Sequence, residues 1–328
     1  MNRLYPAVPL IYALVLTFAS CGDKIHQNSG AMWGTTYHIT YSSPIDLGDS
    51  IVSVMADIER QLSVFSPSST VSRINRNEDV EVEQDFINVF NLSRRISGIS
   101  GGAFDPTVGP LTDIWGFGPS HSDDDSMPTT SQIDSILVSV GISDCSLDGR
   151  RVVKKSPDTR FDFSSVAKGY GVDAIAAMLS RNGCTDYLVE IGGEVVARGL
   201  NPTGKTWRVQ IDSPASDRAG HISMLVIPLD NSAVATSGNY RNYRISEGRR
   251  IGHTLDPRTG MPALTSVLSA TVIAPDCATA DAIATACMVI DVADALSLID
   301  SLPGVEALFA ISSADSIKTV HSRGFPAL

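Results

Sequence analysis

Basic residues are scarce in this chain. Lys and Arg number 25 against 36 Asp and Glu, a formal net charge of −11. A surface of that sign repels phosphate backbones, so nucleic acid is excluded as a partner. An anionic small ligand would need local cations, a metal or helix N-termini. Paired cysteines are missing too: none of the five stands in a C-x-x-C pair, which argues against a cysteine-based metal site. Cys277 and Cys287 are too far apart on one expected helix to bridge within it. Spacing leaves a Cys145–Cys184 disulfide open, and the default is four small buried thiols, Cys145, Cys184, Cys277 and Cys287. No G-x-G-x-x-G unit follows a first strand, and no Walker loop, heptad or solenoid repeat is present. What remains is a normal globular balance. In 328 residues, 43% are hydrophobic and 19% charged, enough for one large or two ordinary domains.

The N-terminus reads as an export signal over residues 1–20. Arg3 supplies the positive start, and an apolar run from Leu10 to Phe18 follows, too short for a comfortable membrane helix. Phe18-Ala19-Ser20-Cys21 puts small residues before a cysteine, as in a bacterial lipoprotein cleavage site. Cys21 is therefore expected to carry lipid and anchor an exported, periplasm-facing protein to the membrane. Residues 21–30 read as a polar tether, and 31–328 as the folded domain.

Strands and helices alternate from there without a strict βαβ period, which fits an α+β or mixed α/β fold. A strand is expected over 31–42 after Gly34. Apolar positions 51, 54, 55, 58 and 62 have helical spacing over 49–64. Helices follow at 71–75, 84–98 and 131–140, with a hairpin around Asp148-Gly149. Residues 120–130 read as an exposed acidic loop. A helix is expected over 174–181 and a buried strand over 188–191. Strands at 206–212, 221–229, 242–246 and 266–273 lead to helices at 276–289 and 292–301. Strands near 305–311 and 316–320 close the chain.

Three runs carry chemistry. Residues 251–260 pack His253, Asp256, Pro257, Arg258 and Gly260 into a segment that Gly and Pro keep from becoming a helix. A stiff loop of that kind can hold His253 in place. In the helix behind it, Asp281 and Thr285 stand at i and i+4, so a carboxylate and a hydroxyl share one face. Both are hard oxygen donors suited to Mg²⁺; in isolation an Asp–Thr hydrogen bond on a helix surface is the better reading, and the neighbouring His253 loop shifts the balance toward a metal. Phe161-Asp162-Phe163-Ser164-Ser165-Val166-Ala167-Lys168-Gly169 reads as a strand-to-helix junction that can bind phosphate through backbone N–H groups and the Lys168 charge.

Taken together, these runs form an ordered set. Met32-x-Gly34-Thr35-Thr36 comes first, then Gly102-Ala103-Phe104-Asp105-Pro106-Thr107-Val108-Gly109-Pro110 and Trp115-Gly116-Phe117. Ala167-Lys168-Gly169-Tyr170 with Asp173 and Ile191-Gly192-Gly193-Glu194 follow. Last come Ala235-Thr236-Ser237-Gly238-Asn239-Tyr240-Arg241, the His253–Gly260 loop and Ala280-Asp281 with Thr285. This order strongly resembles the ApbE family, the FAD:protein FMN transferases, from about Met32 to the C-terminus. The resemblance implies two interleaved α/β subdomains around a central FAD and Mg²⁺ site. It implies transfer of the FMN half of FAD to a Thr or Ser hydroxyl of an acceptor flavoprotein, for example a subunit of a membrane redox complex, with release of AMP. By the same resemblance Asp281, Thr285 and the backbone carbonyl near Ser165 hold the metal. Met32, Phe65, Ala103, Phe104, Asp105, Asp162, Lys168 and the backbone near Leu255 line the FAD site, and His253 is the general base. Two positions depart from the family. Ser164-Ser165-Val166 stands where many relatives carry Gly-Gly-Ile, and Phe65 where Tyr is common. With water as acceptor the same residues would make a metal-dependent FAD pyrophosphatase, and without chemistry an FAD-binding lipoprotein. The presence of both His253 and Asp281 favours an enzyme.

Overall fold

The computed structural model describes residues 23–120, 126–215, 222–239, 243–246, 249–313 and 316–326. Cys21, residues 121–125 of the acidic loop, and Tyr240 and Arg241 of the small-residue motif lie outside them. The helices are α1 (Gly48–Leu62), α2 (Thr70–Asn75), α3 (Gln84–Ile99), α4 (Gly109–Ile114), α5 (Thr130–Leu137), α6 (Ala167–Arg181), α7 (Cys277–Cys287) and α8 (Val292–Asp300). The strands are β1 (Lys24–Met32), β2 (Thr35–Ser43), β3 (Cys145–Asp148), β4 (Arg151–Lys154), β5 (Tyr187–Ile191), β6 (Glu194–Arg198) and β7 (Trp207–Asp212). They continue with β8 (Ser223–Leu229), β9 (Ala233–Gly238), β10 (Tyr243–Ser246), β11 (Arg249–Gly252), β12 (Val267–Ala274), β13 (Glu306–Ser313) and β14 (Ser316–His321).

Eight strands form one sheet in the order β1-β2-β5-β6-β9-β12-β13-β14, with every neighbouring pair antiparallel. The pairs β3-β4, β7-β8 and β10-β11 stand apart as two-stranded ribbons. This is the expected α+β architecture. Period-two alternation decides which residues meet which layer. Val189, Val196, Val272, Ala307 and Phe309 face the clusters built with the helices. Leu188, Val195, Ala197, Ile273 and Leu308 face the other way, onto Trp207, Ile211, Ile227 and Leu229 of the β7-β8 ribbon. Burial on both faces makes the central strands nearly continuous in apolar character. A smaller cluster of Leu111, Trp115, Ile133, Ile251 and Leu255 joins α4, α5 and the His253 loop.

Several elements differ from expectation. Residues 24–30 are not a tether: they belong to β1, which pairs with β2 from Lys24↔Ser43 to Met32↔Thr35. Their polarity suits a sheet edge, where few side chains are buried. Helix α6 begins at Ala167 rather than Ala174. Its glycines mark close packing instead of a loop: a Cβ on Gly169 would lie 2.4 Å from the Cys277 carbonyl oxygen of α7. Strand β9 was not expected, because small residues gave no strand pattern; at the centre of the sheet its neighbours bury it regardless. Strand β6 follows β5 directly through a two-residue turn at Gly192-Gly193, and α4 forms within the Gly- and Pro-rich run. Cys145, Cys184, Cys277 and Cys287 are free and buried. Among the described residues no helix is long and apolar enough to cross a membrane.

Candidate active site

Where β6, β7 and β9 meet α6, α7 and the His253 loop, a cleft of about 500 Å³ opens. His253, Phe65, Ala103, Phe104, Asp105, Asp162, Ser165, Lys168, Leu255, Asp281 and Thr285 all line it. These residues span 65 to 285 in the chain, and the fold alone brings them together. Met32 is the exception. It ends β1 beside the Trp33-Gly34 turn and packs, partly buried, against the cluster of α1, α6 and β2 instead of lining the cleft.

The His253 loop has the expected stiffness, and its backbone shows why. Asp256 N–H donates to the Met261 carbonyl at 2.8 Å, Gly260 N–H to the Asp256 carbonyl at 2.8 Å, and Ala263 N–H to the Thr254 carbonyl at 2.9 Å. The Asp256 carboxylate accepts from the Arg258 backbone and from two guanidinium nitrogens, each at 2.9 Å. Asn239 Oδ1 accepts from both the N–H and the hydroxyl of Thr254, at 3.2 and 2.7 Å. Gly260 has φ +68°, and a Cβ there would lie 2.5 Å from Ile133, so both conformation and space demand glycine. Trp115 Nε1 donates to the Gly260 carbonyl at 2.8 Å. His253 meets the Phe117 ring edge to face, centroids 6.3 Å apart.

Across the cleft, α7 starts at an Asp276 cap whose carboxylate accepts from Thr279 N–H at 2.8 Å. One turn on, Asp281 is only 4% exposed. Its Oδ2 accepts from Gly169 N–H at 3.1 Å, in the first turn of α6, where the helix dipole favours an anion. Thr285 Oγ1 lies 3.2 Å from Ser237 Oγ. Lys168 Nζ is 2.8 Å from Glu194 Oε1 and 3.8 Å from Asp281 Oδ2. Burial depresses the ammonium's pKa, but the facing Asp281 and Glu194 carboxylates outweigh it and raise the net value. Burial raises the Glu194 carboxyl against the pull of Lys168, and burial likewise raises Asp162 against hydrogen bonds from Ser164.

Asp105 lines the cleft, but its carboxylate is engaged in scaffolding. It accepts from Thr107 N–H and hydroxyl at 2.9 and 2.6 Å and from Ile142 N–H at 2.9 Å, joining two loops. Sequence reasoning assigned no role to Glu194, Gln210, Asp212, Thr236 or Ser237, which also line the cleft. Glu194 had a signal in the glycine pair before it, and Thr236 and Ser237 stood in a quoted motif. The β7 residues had none.

Among the described residues the lining holds five carboxylates, Asp105, Asp162, Glu194, Asp212 and Asp281, and a single lysine or arginine, Lys168. Among the described residues no group of three or more His, Cys, Asp and Glu could hold a metal. The lining beside α6 and α7 offers instead the Asp281 carboxylate, the Thr285 hydroxyl and the oxygens of Ser165. Such a set fits Mg²⁺, which keeps several waters and takes substrate phosphates as ligands, better than it fits a transition metal.

Comparison with known proteins identifies the family. The model of the ApbE family matches residues 33–309. A FAD:protein FMN transferase of Vibrio cholerae is 34% identical over 325 residues, covering 95% of this chain and 96% of its own. One of Haemophilus influenzae is 34% identical over 307 residues, 88% of either chain. Among solved structures, the flavin transferase ApbE from Vibrio cholerae superposes with a TM-score of 0.83 at 33% identity, covering 92% of this chain and 98% of that one. The apo flavinyl transferase ApbE of Pseudomonas stutzeri gives 0.83 at 32%, covering 93% and 96%. The chain belongs to the ApbE family. It is a transferase enzyme.

Proposed function

We propose that this enzyme moves the FMN half of FAD onto a Thr or Ser hydroxyl of an acceptor flavoprotein, with Mg²⁺ bound at Asp281. One observation carries the reading: Asp281, Thr285 and Ser165 stand in one acidic cleft with His253. A pyrophosphate is repelled by five carboxylates unless a cation intervenes, and Lys168 is already paired. Asp281, Thr285 and backbone oxygen near Ser165 would hold Mg²⁺, which supplies charge neutralisation at the pyrophosphate. Phe65, 66% exposed on the cleft, offers a face on which an aromatic ring of FAD can stack.

The chemistry balances with the residues in place. The acceptor hydroxyl oxygen attacks the phosphorus of the FMN half, forming the new phosphoester. The bond from that phosphorus to the bridging oxygen breaks, and AMP leaves with the electron pair. His253 takes the hydroxyl proton through a neutral imidazole nitrogen. The rigid loop supplies positioning, which is where much of the rate gain in phosphoryl transfer arises.

Mass spectrometry of a co-expressed acceptor candidate tests the reading. A mass increase equal to FMN on one Thr or Ser, with AMP released, is the expected result. Free FMN and AMP with an unmodified acceptor would show water as the acceptor, a pyrophosphatase, and unconsumed FAD would show a carrier.

We further propose that Cys21 carries lipid and holds the enzyme at the membrane, facing the periplasm. The small residues before Cys21 support this, and β1 begins at Lys24, so the folded body would sit close to the membrane surface.

A further inference from the structure

Lys168 stands between two nearly buried carboxylates. Glu194 Oε1 is at 2.8 Å, hydrogen-bond range, and Asp281 Oδ2 at 3.8 Å, ion-pair range only. The side chains of Glu194 and Asp281 are 5% and 4% exposed. Glu194 is the first residue of β6, paired with Ile191 across the Gly192-Gly193 turn, so the sheet fixes its backbone whether or not a ligand is present. Its second oxygen, Oε2, is buried without a hydrogen-bond partner. A buried carboxylate with an unsatisfied oxygen is costly to the fold, and its ion pair with Lys168 is the contact that offsets the cost.

An ammonium and a divalent cation compete for the same carboxylate oxygens. Lys168 is close enough to neutralise Asp281 and displace a cation, yet it leans on Glu194 instead. We infer that Glu194 is a positioning residue: it holds the Lys168 ammonium off Asp281 and so keeps that carboxylate open to Mg²⁺. This rests on Asp281 as the cation ligand. Without the Glu194 charge, the nearest anion left to Lys168 is Asp281, at 3.8 Å against 2.8 Å for Glu194.

Glu194→Gln keeps the side-chain size and removes the charge. Titration calorimetry of the full chain with MgCl₂ alone, on protein shown folded by its melting curve, should give a dissociation constant raised about tenfold. A crystal structure of that variant should place Lys168 Nζ within about 3 Å of Asp281 Oδ2. Glu194→Asp retains the charge and should keep Mg²⁺ binding within about threefold of wild type. It decides the matter should the Gln variant not fold. Unchanged Mg²⁺ binding in Glu194→Gln, weakened binding with Lys168 still away from Asp281, or equal weakening in Glu194→Asp would each overturn the inference. Asp281→Ala separates the two readings. Wild-type Mg²⁺ binding there would remove Asp281 as the ligand, whereas its loss alongside intact binding in Glu194→Gln would remove only the role of Glu194.

Discussion

His253 hangs on a loop whose shape is held by other residues. The hydrogen bonds of Thr254, Asp256 and Gly260 brace the segment through other residues, so removing the His253 ring should leave most of the backbone in place. As general base, His253→Ala should fold and keep FAD while transfer falls by about two to four orders of magnitude. A melting curve, an FAD titration and a transfer rate on one preparation check this. A stable, FAD-replete variant with near-wild-type transfer would show that another group takes the proton. Asp281 has different support, from the Gly169 N–H and α7 packing. Asp281→Ala should lower transfer at limiting Mg²⁺ far more than it lowers FAD affinity, and full activity there would refute it as a ligand.

The α6–α7 crossing is the element on which the Asp281 side of the cleft depends. Gly169 permits it, since a Cβ would press on the Cys277 carbonyl at 2.4 Å, backbone that cannot swing aside. Gly169→Ala should cost about 1–3 kcal/mol, the usual range for overpacking, read as a lowered denaturation midpoint. It should also weaken Mg²⁺ binding, because Asp281 accepts from the Gly169 N–H. Asp173 ties the same two helices. Its carboxylate accepts from Cys277 N–H at 2.9 Å and Ala278 N–H at 2.8 Å, at the start of α7. Burial pushes its carboxyl up to about 7 against those N–H bonds. The native state then holds this proton more tightly than the unfolded chain, whose aspartates titrate near 3.8. The stability it contributes is therefore complete below about pH 4 and is lost as pH rises through about 7. Denaturant unfolding across that window should show a shallower decline in Asp173→Asn than in wild type. Equal slopes would mean that Asp173 titrates as it does in the unfolded chain.

For the whole molecule, the membrane anchor is the open test. Cys21→Ser should release unlipidated protein from membranes. Fractionation that finds the unchanged protein soluble and lipid-free in the exported fraction would remove the anchor. The amino-acid order by itself determined the α+β class, the α1, α3, α7 and α8 periodicities, the Asp148-Gly149 hairpin and the rigid character of the His253 loop. Each depends on local pattern: apolar spacing, turn chemistry or backbone dihedrals. The family resemblance also marked twelve site residues, and all of them but Met32 line one cleft. Only the tertiary structure decided the rest. The polar stretch at 24–30 became β1 because an edge strand needs pairing more than burial. The small residues of β9 became a central strand because β6 and β12 enclose them. Met32 packs against the helical core rather than lining the cleft because its pairing with Thr35 at the β1-β2 turn directs it there. The sharing of Lys168 between Glu194 and Asp281 joins residues from β6, α6 and α7, and distances across three elements are set by packing rather than by any spacing along the chain.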